Sequence, residues 1–381
     1  MSTFPVPVVL AGYCRSPFTL ASKGELAHVR ADDLITAVLR GLVAHTKVDP
    51  AMLEDVLLGC AFPEGEQGFN LARLAGLMAG FPISVAGATI NRFCGSSMQS
   101  VHMAAGAIQL HAGGAFVCAG VESMSRIPMG GFNPMPHPDF MKQSAAYMSM
   151  GETAENVASR FKISRRAQEE FALASHQKAA HAVAHGKLSA EIIPIPLKGK
   201  DVTRDTCIRA ETTMERMAEL KPAFLAGGSV TAATSSPLTD GASAVLVTSE
   251  AFADAHGLKK TARIRAVAVA GCDPAHMGMG PVVATRKALQ RAGLEISQID
   301  VVELNEAFAS QALACMHELK IDPSRVNIDG GAIALGHPLG ATGARITGKA
   351  AAIMQREGKQ FALATQCIGG GQGIATILEA V

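Results

Sequence analysis

The sequence predicts a layered α/β protein built from two similar halves, with an irregular subdomain inserted in the middle. Three observations point there. Short apolar runs alternate with longer helical patterns along most of the 381 residues, the signature of strands layered against helices. A weak internal echo relates the first half of the chain to the second. Between them lies a stretch rich in Met, Pro, Gly and charge that fits neither pattern.

Runs at 6–11, 55–60, 115–120 and 244–248 read as buried strands, and so do 262–269, 301–305 and 361–367. Helical patterns cover 31–42, 98–111 and 281–292. This alternation predicts mainly parallel strands. From about 123 to 239 the chain carries PMGGFNPMPHP and a charged helix around 164–181, which reads as an inserted subdomain or elaborate loop. In the echo, an apolar strand leads to Asn91-Arg92-Phe93-Cys94-Gly95, followed by a small-residue helix and the strand 115–119. Its counterpart runs from 326–328 through Gly336-His337-Pro338 to a helix over 341–354 and the strand 361–365. Cys94 and His337 then occupy corresponding places, at the starts of their helices.

Composition narrows the function. With 48% hydrophobic and 18% charged residues the chain is globular rather than disordered. Its length corresponds to two or three domains. A net charge of +1 argues against nucleic acid or an anionic membrane surface as partner. Eight scattered cysteines form no C-x-x-C pair, which argues against zinc. No secretory signal precedes them, so they read as reduced cytoplasmic thiols. No uninterrupted apolar run is long enough to span a membrane. The first ten residues enter a strand pattern at once, leaving no room for a transit peptide.

Four positions carry candidate chemistry. Cys94 precedes Gly95-Ser96-Ser97 at a strand-to-helix junction, where free N–H groups and the helix dipole are expected to lower a thiol pKa. A small buried core cysteine is the alternative. His337, in ALGHPLG, is a candidate base in a rigid loop, or a brace for that loop. Cys367 ends an apolar strand before Gly369-Gly370-Gly371, where α/β sheets expose reactive groups; an incidental thiol beside a glycine turn is the alternative. Asn305 follows the strand 301–304 and is suited to hold a water or an oxyanion, or to cap a helix. Together they form a set suited to acyl transfer: soft nucleophile, base, second acid and oxyanion donors, with no metal or organic cofactor.

The segments 91–99 (NRFCGSSMQ), 305–308 (NEAF), 336–340 (GHPLG) and 367–373 (CIGGGQG) resemble the four signature blocks of the thiolase family, in the family's order. Residues 151–158, 231–241 and 271–281 are also similar, so the resemblance spans essentially the whole chain. It implies a thiolase-like layered fold of two duplicated βαβαβ-type halves, with a first half at 1–122 plus 241–261, a CoA-binding loop domain at 123–240 and a second half at 262–381. It implies that Cys94 carries the acyl group, His337 takes its proton and Cys367 acts as acid and base at the enolate. A water on Asn305, together with His337, would form one oxyanion hole; the N–H groups of Cys94 and Gly369 would form the other. Ser236 would contact the pantetheine arm and Arg209 the adenine-nucleotide end. Met150, Met277, Ala307 and Phe308 would line the channel, although core filling also accounts for the methionines.

The implied activity is cleavage of 3-ketoacyl-CoA by CoA, with CoA as substrate and no cofactor. The implied assembly is a homodimer or dimer of dimers, with room for a β-oxidation α-subunit. The block Cys94-Gly95-Ser96-Ser97-Met98 departs from the C-G-S-G of biosynthetic acetoacetyl-CoA thiolases. Ser149, Pro237 and Lys221 also stand where those enzymes have His, Gly and Arg. The block at Cys94 is more similar to bacterial fatty-acid-oxidation β-subunits. The departures remove no catalytic group, bear on chain length and CoA affinity, and leave a branched, aromatic or steroid side-chain ketoacyl-CoA open as the substrate. A decarboxylating ketosynthase would need a second active-site histidine. A non-catalytic acyl-CoA-binding or scaffold protein would not need all four groups.

Overall fold

The computed structural model describes residues 4–381; positions 1–3 of the N-terminal run lie outside the described residues. The first half runs β1 (Val8–Arg15), α1 (Ala31–Thr46), β2 (Asp55–Gly59), α2 (Leu71–Ala79), β3 (Ala86–Ile90), α3 (Ser96–Gln109) and β4 (Ala115–Ser123). An excursion follows that holds α4 (Met150–Arg160) and α5 (Arg165–Ala184), and β5 (Thr239–Ser249) closes the half. The second half runs β6 (Ala262–Gly271), α6 (Gly280–Ala292), β7 (Val301–Leu304), α7 (Ala309–Leu319), α8 (Thr342–Arg356), β8 (Phe361–Ile368) and β9 (Gln372–Glu379).

The spatial order of strands is β3-β2-β4-β5-β1, then β6-β9-β8-β7. The two groups join only through the pairs Val9↔Arg263 and Leu10↔Ala262. Parallel pairing is confined to β2 with β3, β2 with β4, and β7 with β8. Every other strand pair is antiparallel, which corrects the expectation of a mainly parallel sheet. The reason lies in β9, which the sequence reading missed: a three-glycine turn reverses the chain after β8, with Gly370 and Gly371 at φ +77° and +86°. The run 326–328 is not a strand either; it is reduced to one parallel bridge, Val302↔Val326. With that bridge standing for β3, the two halves share one topology, and the excursion of the first half replaces the glycine turn of the second.

Local chemistry explains the helix ends. Asn70 caps α2 through the Arg73 N–H, and Gly80 ends it at φ +86°. Ser149 and Glu152 form a reciprocal capping box on α4. Strands β1, β4, β5, β7 and β8 are buried on both faces. In β4, Val117 and Ala119 pack towards α1 and α2, while Phe116 and Cys118 pack towards α3 and α8. That two-sided burial is why these runs read as continuously apolar. The layers are therefore α1/α2, the first strand group, α3/α8, the second strand group, and α6/α7. No helix among the described residues is long and apolar enough to cross a membrane.

The central layer contains a buried titratable group. His102 of α3 bonds through Nε2 to Thr376 Oγ1 of β9 at 2.9 Å. Burial, reinforced by Arg92 and Arg291, pushes its pKa from 6.5 down to about 3. The folded chain thus refuses a proton that the unfolded chain accepts, so this contribution to stability is complete above 6.5 and is lost as pH falls towards 3. His102→Gln, which keeps a bond to Thr376 without titrating, is expected to lose stability less steeply on acidification. The gap from wild type should change by about 1.4 kcal/mol per pH unit inside that window. Urea unfolding across the window measures it; parallel curves would refute the assignment.

Candidate active site

The carboxyl ends of β2, β3, β4, β7 and β8 all open on one cavity, the usual position for a site in an α/β sheet. Cys94 reaches it from a tight turn after β3. Asn91 Oδ1 accepts the Phe93 N–H at 2.8 Å. Ser96 Oγ accepts the Arg92 N–H at 2.9 Å and donates to the Phe93 carbonyl at 2.6 Å. Phe93 itself sits at φ +43°, a conformation that costs a non-glycine residue energy and is held by these bonds. The Gln366 side-chain amide donates to the Cys94 carbonyl.

The neighbouring Gly369 N–H and its own N–H favour the charged form of the Cys94 sulfur. The sequence reading expected a lowered thiol pKa. The opposite holds: burial dominates over these donors and pushes Cys94 up to about 12. Cys94 precedes the Gly95 cap of α3, and the desolvated sulfur finds no cation to offset its charge. The resting group is a thiol that needs a base.

His337 lines the same cavity. Gly336 holds φ +106°, and a Cβ there would lie 2.7 Å from Thr239 Cγ2, so only glycine fits before the histidine. The His337 N–H donates to Thr239 Oγ1 at 3.1 Å. Thr342 Oγ1 gives its one proton to the Pro338 carbonyl at 3.1 Å. With that proton so placed, it accepts from His337 Nδ1–H, 2.6 Å away. In that arrangement Nε2 carries the lone pair and faces Asn305 Nδ2 at 3.3 Å. Burial, with Arg345 second, lowers the imidazole from 6.5 to about 3, so it rests neutral.

Asn305 extends the β7 pairing through its N–H to Thr365 O at 3.0 Å. Its Oδ1 is buried with no partner among the described residues. Cys367 lies near the end of β8, opposite Gly373. Burial, and then the neighbouring Cys94, raises its pKa well above the usual thiol value.

The cavity encloses about 440 Å³ and includes Cys94, His337, Cys367 and Gly369 in its lining. Its walls form two apolar groups. Cys367 packs with Met150, Met277, Ala307 and Phe308. Cys94 packs with Phe62, Met124 and Leu339. Ser236 lines the cavity, its N–H and Oγ both donating to the Ala307 carbonyl at 3.0 and 3.2 Å. Arg209 is exposed and outside the lining, with its N–H on His176 Nδ1 at 3.1 Å.

The sequence reading did not single out Thr239, Thr342, Phe62, Met124, Leu339 or Glu122. Phe62 alone had a signal, since it follows β2 as Asn305 follows β7. Thr239 opens β5, Thr342 opens α8 and Glu122 lies in β4, whereas Met124 and Leu339 come from connections; no spacing reveals that they meet.

Residues 8–251 match the family model described as thiolase, N-terminal domain, and residues 258–380 match thiolase, C-terminal domain. The chain is 47% identical to a 3-ketoacyl-CoA thiolase of Idiomarina loihiensis, covering 98% of this chain and 99% of that one. It is 48% identical to a 3-ketoacyl-CoA thiolase of Vibrio cholerae at the same coverage. Among solved structures it is similar to human mitochondrial 3-ketoacyl-CoA thiolase in complex with CoA, with a TM-score of 0.91, 37% identity and coverage of 99% and 98%. The Bacillus anthracis acetyl-CoA acetyltransferase superposes with a TM-score of 0.91 at 38% identity over 100% of both chains. With both family domains matched in order over nearly its whole length, and with two cysteines and a histidine lining one cavity and Asn305 beside that histidine, the chain belongs to the thiolase family.

Proposed function

We propose that this chain, an acyltransferase, cleaves 3-ketoacyl-CoA with CoA to acetyl-CoA and a shortened acyl-CoA, as in fatty-acid β-oxidation. The observation that carries the reading is that one cavity is lined together by Cys94, half-buried and held as a thiol, by the neutral His337 and by Cys367. The names of the Idiomarina and Vibrio relatives support the degradative direction.

In this reading His337 Nε2 takes the Cys94 proton as the sulfur attacks the 3-keto carbon. The N–H groups of Cys94 and Gly369 face the developing oxyanion. The bond between carbons 2 and 3 then breaks, leaving the acyl group on Cys94. Cys367 gives its proton to carbon 2 of the departing enolate. The enolate's thioester oxygen is met by the new His337 Nε2–H and by a water on the unpartnered Asn305 Oδ1. CoA returns a proton to Cys367 as its sulfur takes the acyl group, and His337 returns the other to Cys94. The raised pKa of Cys367 suits a group that must protonate a carbanion rather than rest ionised.

Ser236, Met150, Met277, Ala307 and Phe308 are read as the pantetheine side, with Arg209 at the nucleotide end. No further cofactor is needed. We read the enzyme as cytoplasmic and as a homodimer or pair of dimers, working alone or beside an α-subunit. The edge position of β3, next to exposed Leu74, Leu77 and Met78 on α2, supports self-association.

Cys94→Ala is expected to abolish turnover, and a thioester should add one acyl mass to the Cys94 peptide of the wild type. Near-full activity in that variant would refute the mechanism. Asn305→Ala should leave a folded enzyme slower by roughly 10²–10³-fold in kcat. Thiolysis of 3-ketoacyl-CoAs from four to sixteen carbons tests the branch: faster cleavage of longer chains is expected, and cleavage of acetoacetyl-CoA alone would make the enzyme biosynthetic.

A further inference from the structure

Glu122 is a buried carboxylate that the chemistry above leaves unused. It lies near the end of β4 and is 1% exposed. No lysine, arginine or histidine pairs with it among the described residues. It is instead met by four N–H groups and by the Cys60 thiol, which donates to Oε1 at 3.7 Å. Oε2 accepts from Ala61 at 2.8 Å and from Gly340 at 2.9 Å. Oε1 accepts from the Phe62 N–H at 3.2 Å and from Gln67 Nε2 at 2.9 Å. Gln67 is itself buried and oriented, because its Oε1 accepts the Ser123 N–H at 2.7 Å and its Nε2 also reaches the Phe62 carbonyl at 2.8 Å.

These donors come from two loops far apart in sequence. Residues 61–67 follow β2 in the first half, whereas Gly340 belongs to the second-half loop that carries His337. The loops touch at backbone distance: a Cβ on Gly340 would sit 2.8 Å from the Cys60 Cα and the Gly59 carbonyl. What they present to the cavity is the apolar wall around Cys94. Phe62 is itself a donor, Leu339 adjoins the donor Gly340, and Met124 lies two residues beyond Glu122. Three side chains of the apolar group that Cys94 packs against are thus registered on one carboxylate. A group that only filled space here would be apolar, since burying an unpaired charge is costly unless every lone pair is used.

We propose that Glu122 is a positioning residue that builds the acyl subsite, clamping Phe62 and Leu339 around Cys94 so that the site accepts long apolar acyl groups. The proposal deepens the thiolase reading and rests on it. The carboxylate is needed rather than its isostere because all five donors point at acceptors. In Glu122→Gln one oxygen becomes an NH₂ that faces two N–H groups. Gln67 cannot turn to relieve this without losing its bond from Ser123. One loop must let go, and the wall on that side loosens.

The test compares wild type with Glu122→Gln on two readouts. The first is kcat/KM for a sixteen-carbon against a four-carbon 3-ketoacyl-CoA. The second needs no turnover: the rate at which N-dodecylmaleimide labels Cys94, relative to N-ethylmaleimide, with the adduct located on the Cys94 peptide by mass. The variant is expected to lower both long-to-short ratios by roughly tenfold, the scale of losing one charge-assisted hydrogen bond. A merely structural role would lower both chain lengths in proportion through less folded enzyme, and unchanged ratios would overturn the proposal. If wild type cleaves neither substrate, the thiolase reading fails while the labelling ratio still tests Glu122. Should Glu122→Gln not fold, Gln67→Met removes one donor and keeps the charge. It is expected to shift the ratios a few-fold in the same direction, and no shift there would also overturn the proposal.

Discussion

The site depends on how closely α3 and α8 approach one another in the middle layer. A Cβ on Gly343 would lie 2.2 Å from the Met98 nitrogen. A Cβ on Gly120 would lie 2.1 Å from the Gly340 carbonyl. At these distances the backbone of one half rests on the backbone of the other, without side chains between. The two strand groups, each with its own carboxyl edge, therefore deliver Cys94 from one side and His337, Asn305 and Cys367 from the other into a common space. Close-packed interiors do not stretch to absorb an added methyl group. A larger residue at any of these glycines would separate nucleophile from base before it disturbed either half alone.

The electrostatics of that space follow from its dryness. Burial keeps both cysteines protonated and His337 neutral. The resting site thus holds no net charge on its reacting groups, and each charge that forms during the reaction meets a donor already in place. Preorganised donors of this kind are worth more in a water-excluded site than in solution. Hydrogen bonds to Thr342 and Thr239 orient the imidazole. Neither threonine needs to touch substrate to matter, because the Thr342 hydroxyl decides which ring nitrogen is free.

The excursion between β4 and β5 is tied down by buried ion pairs rather than by sheet. Arg15 of β1 bonds Glu191 at 2.8 Å and Asp205 at 2.6 Å, both in the excursion. Lys349 of α8 bonds the same Glu191 at 3.1 Å and Asp329 at 2.8 Å. The network thereby links the excursion to both halves. Such charges are tolerable inside only because each is paired and hydrogen-bonded. Removing one partner would leave the others buried and uncompensated. The excursion in turn supplies Met150, Phe224 and Ser236 to the cavity, so this network holds one of its walls.

Much of this protein was legible in the sequence. Strand–helix alternation marks the layers because two-sided burial writes continuous apolar runs. The strand-end positions of Cys94, Asn305 and Cys367 follow from local pattern, and the irregular composition of the middle marks the excursion. Tertiary structure decided the rest. The parallel expectation failed because pairing direction depends on which strands become neighbours, and the return of β9 through a glycine turn is invisible to periodicity. The expected low pKa of Cys94 failed because desolvation comes from distant segments, whereas the helix start beside it is local. The tautomer of His337 rests on a hydroxyl five residues away, and the clamp at Glu122 on a loop more than two hundred residues away. Sequence by itself determined which groups stand at strand ends; only the packing of two halves at backbone distance decided which of them meet, in what protonation state, and around what shape of acyl wall.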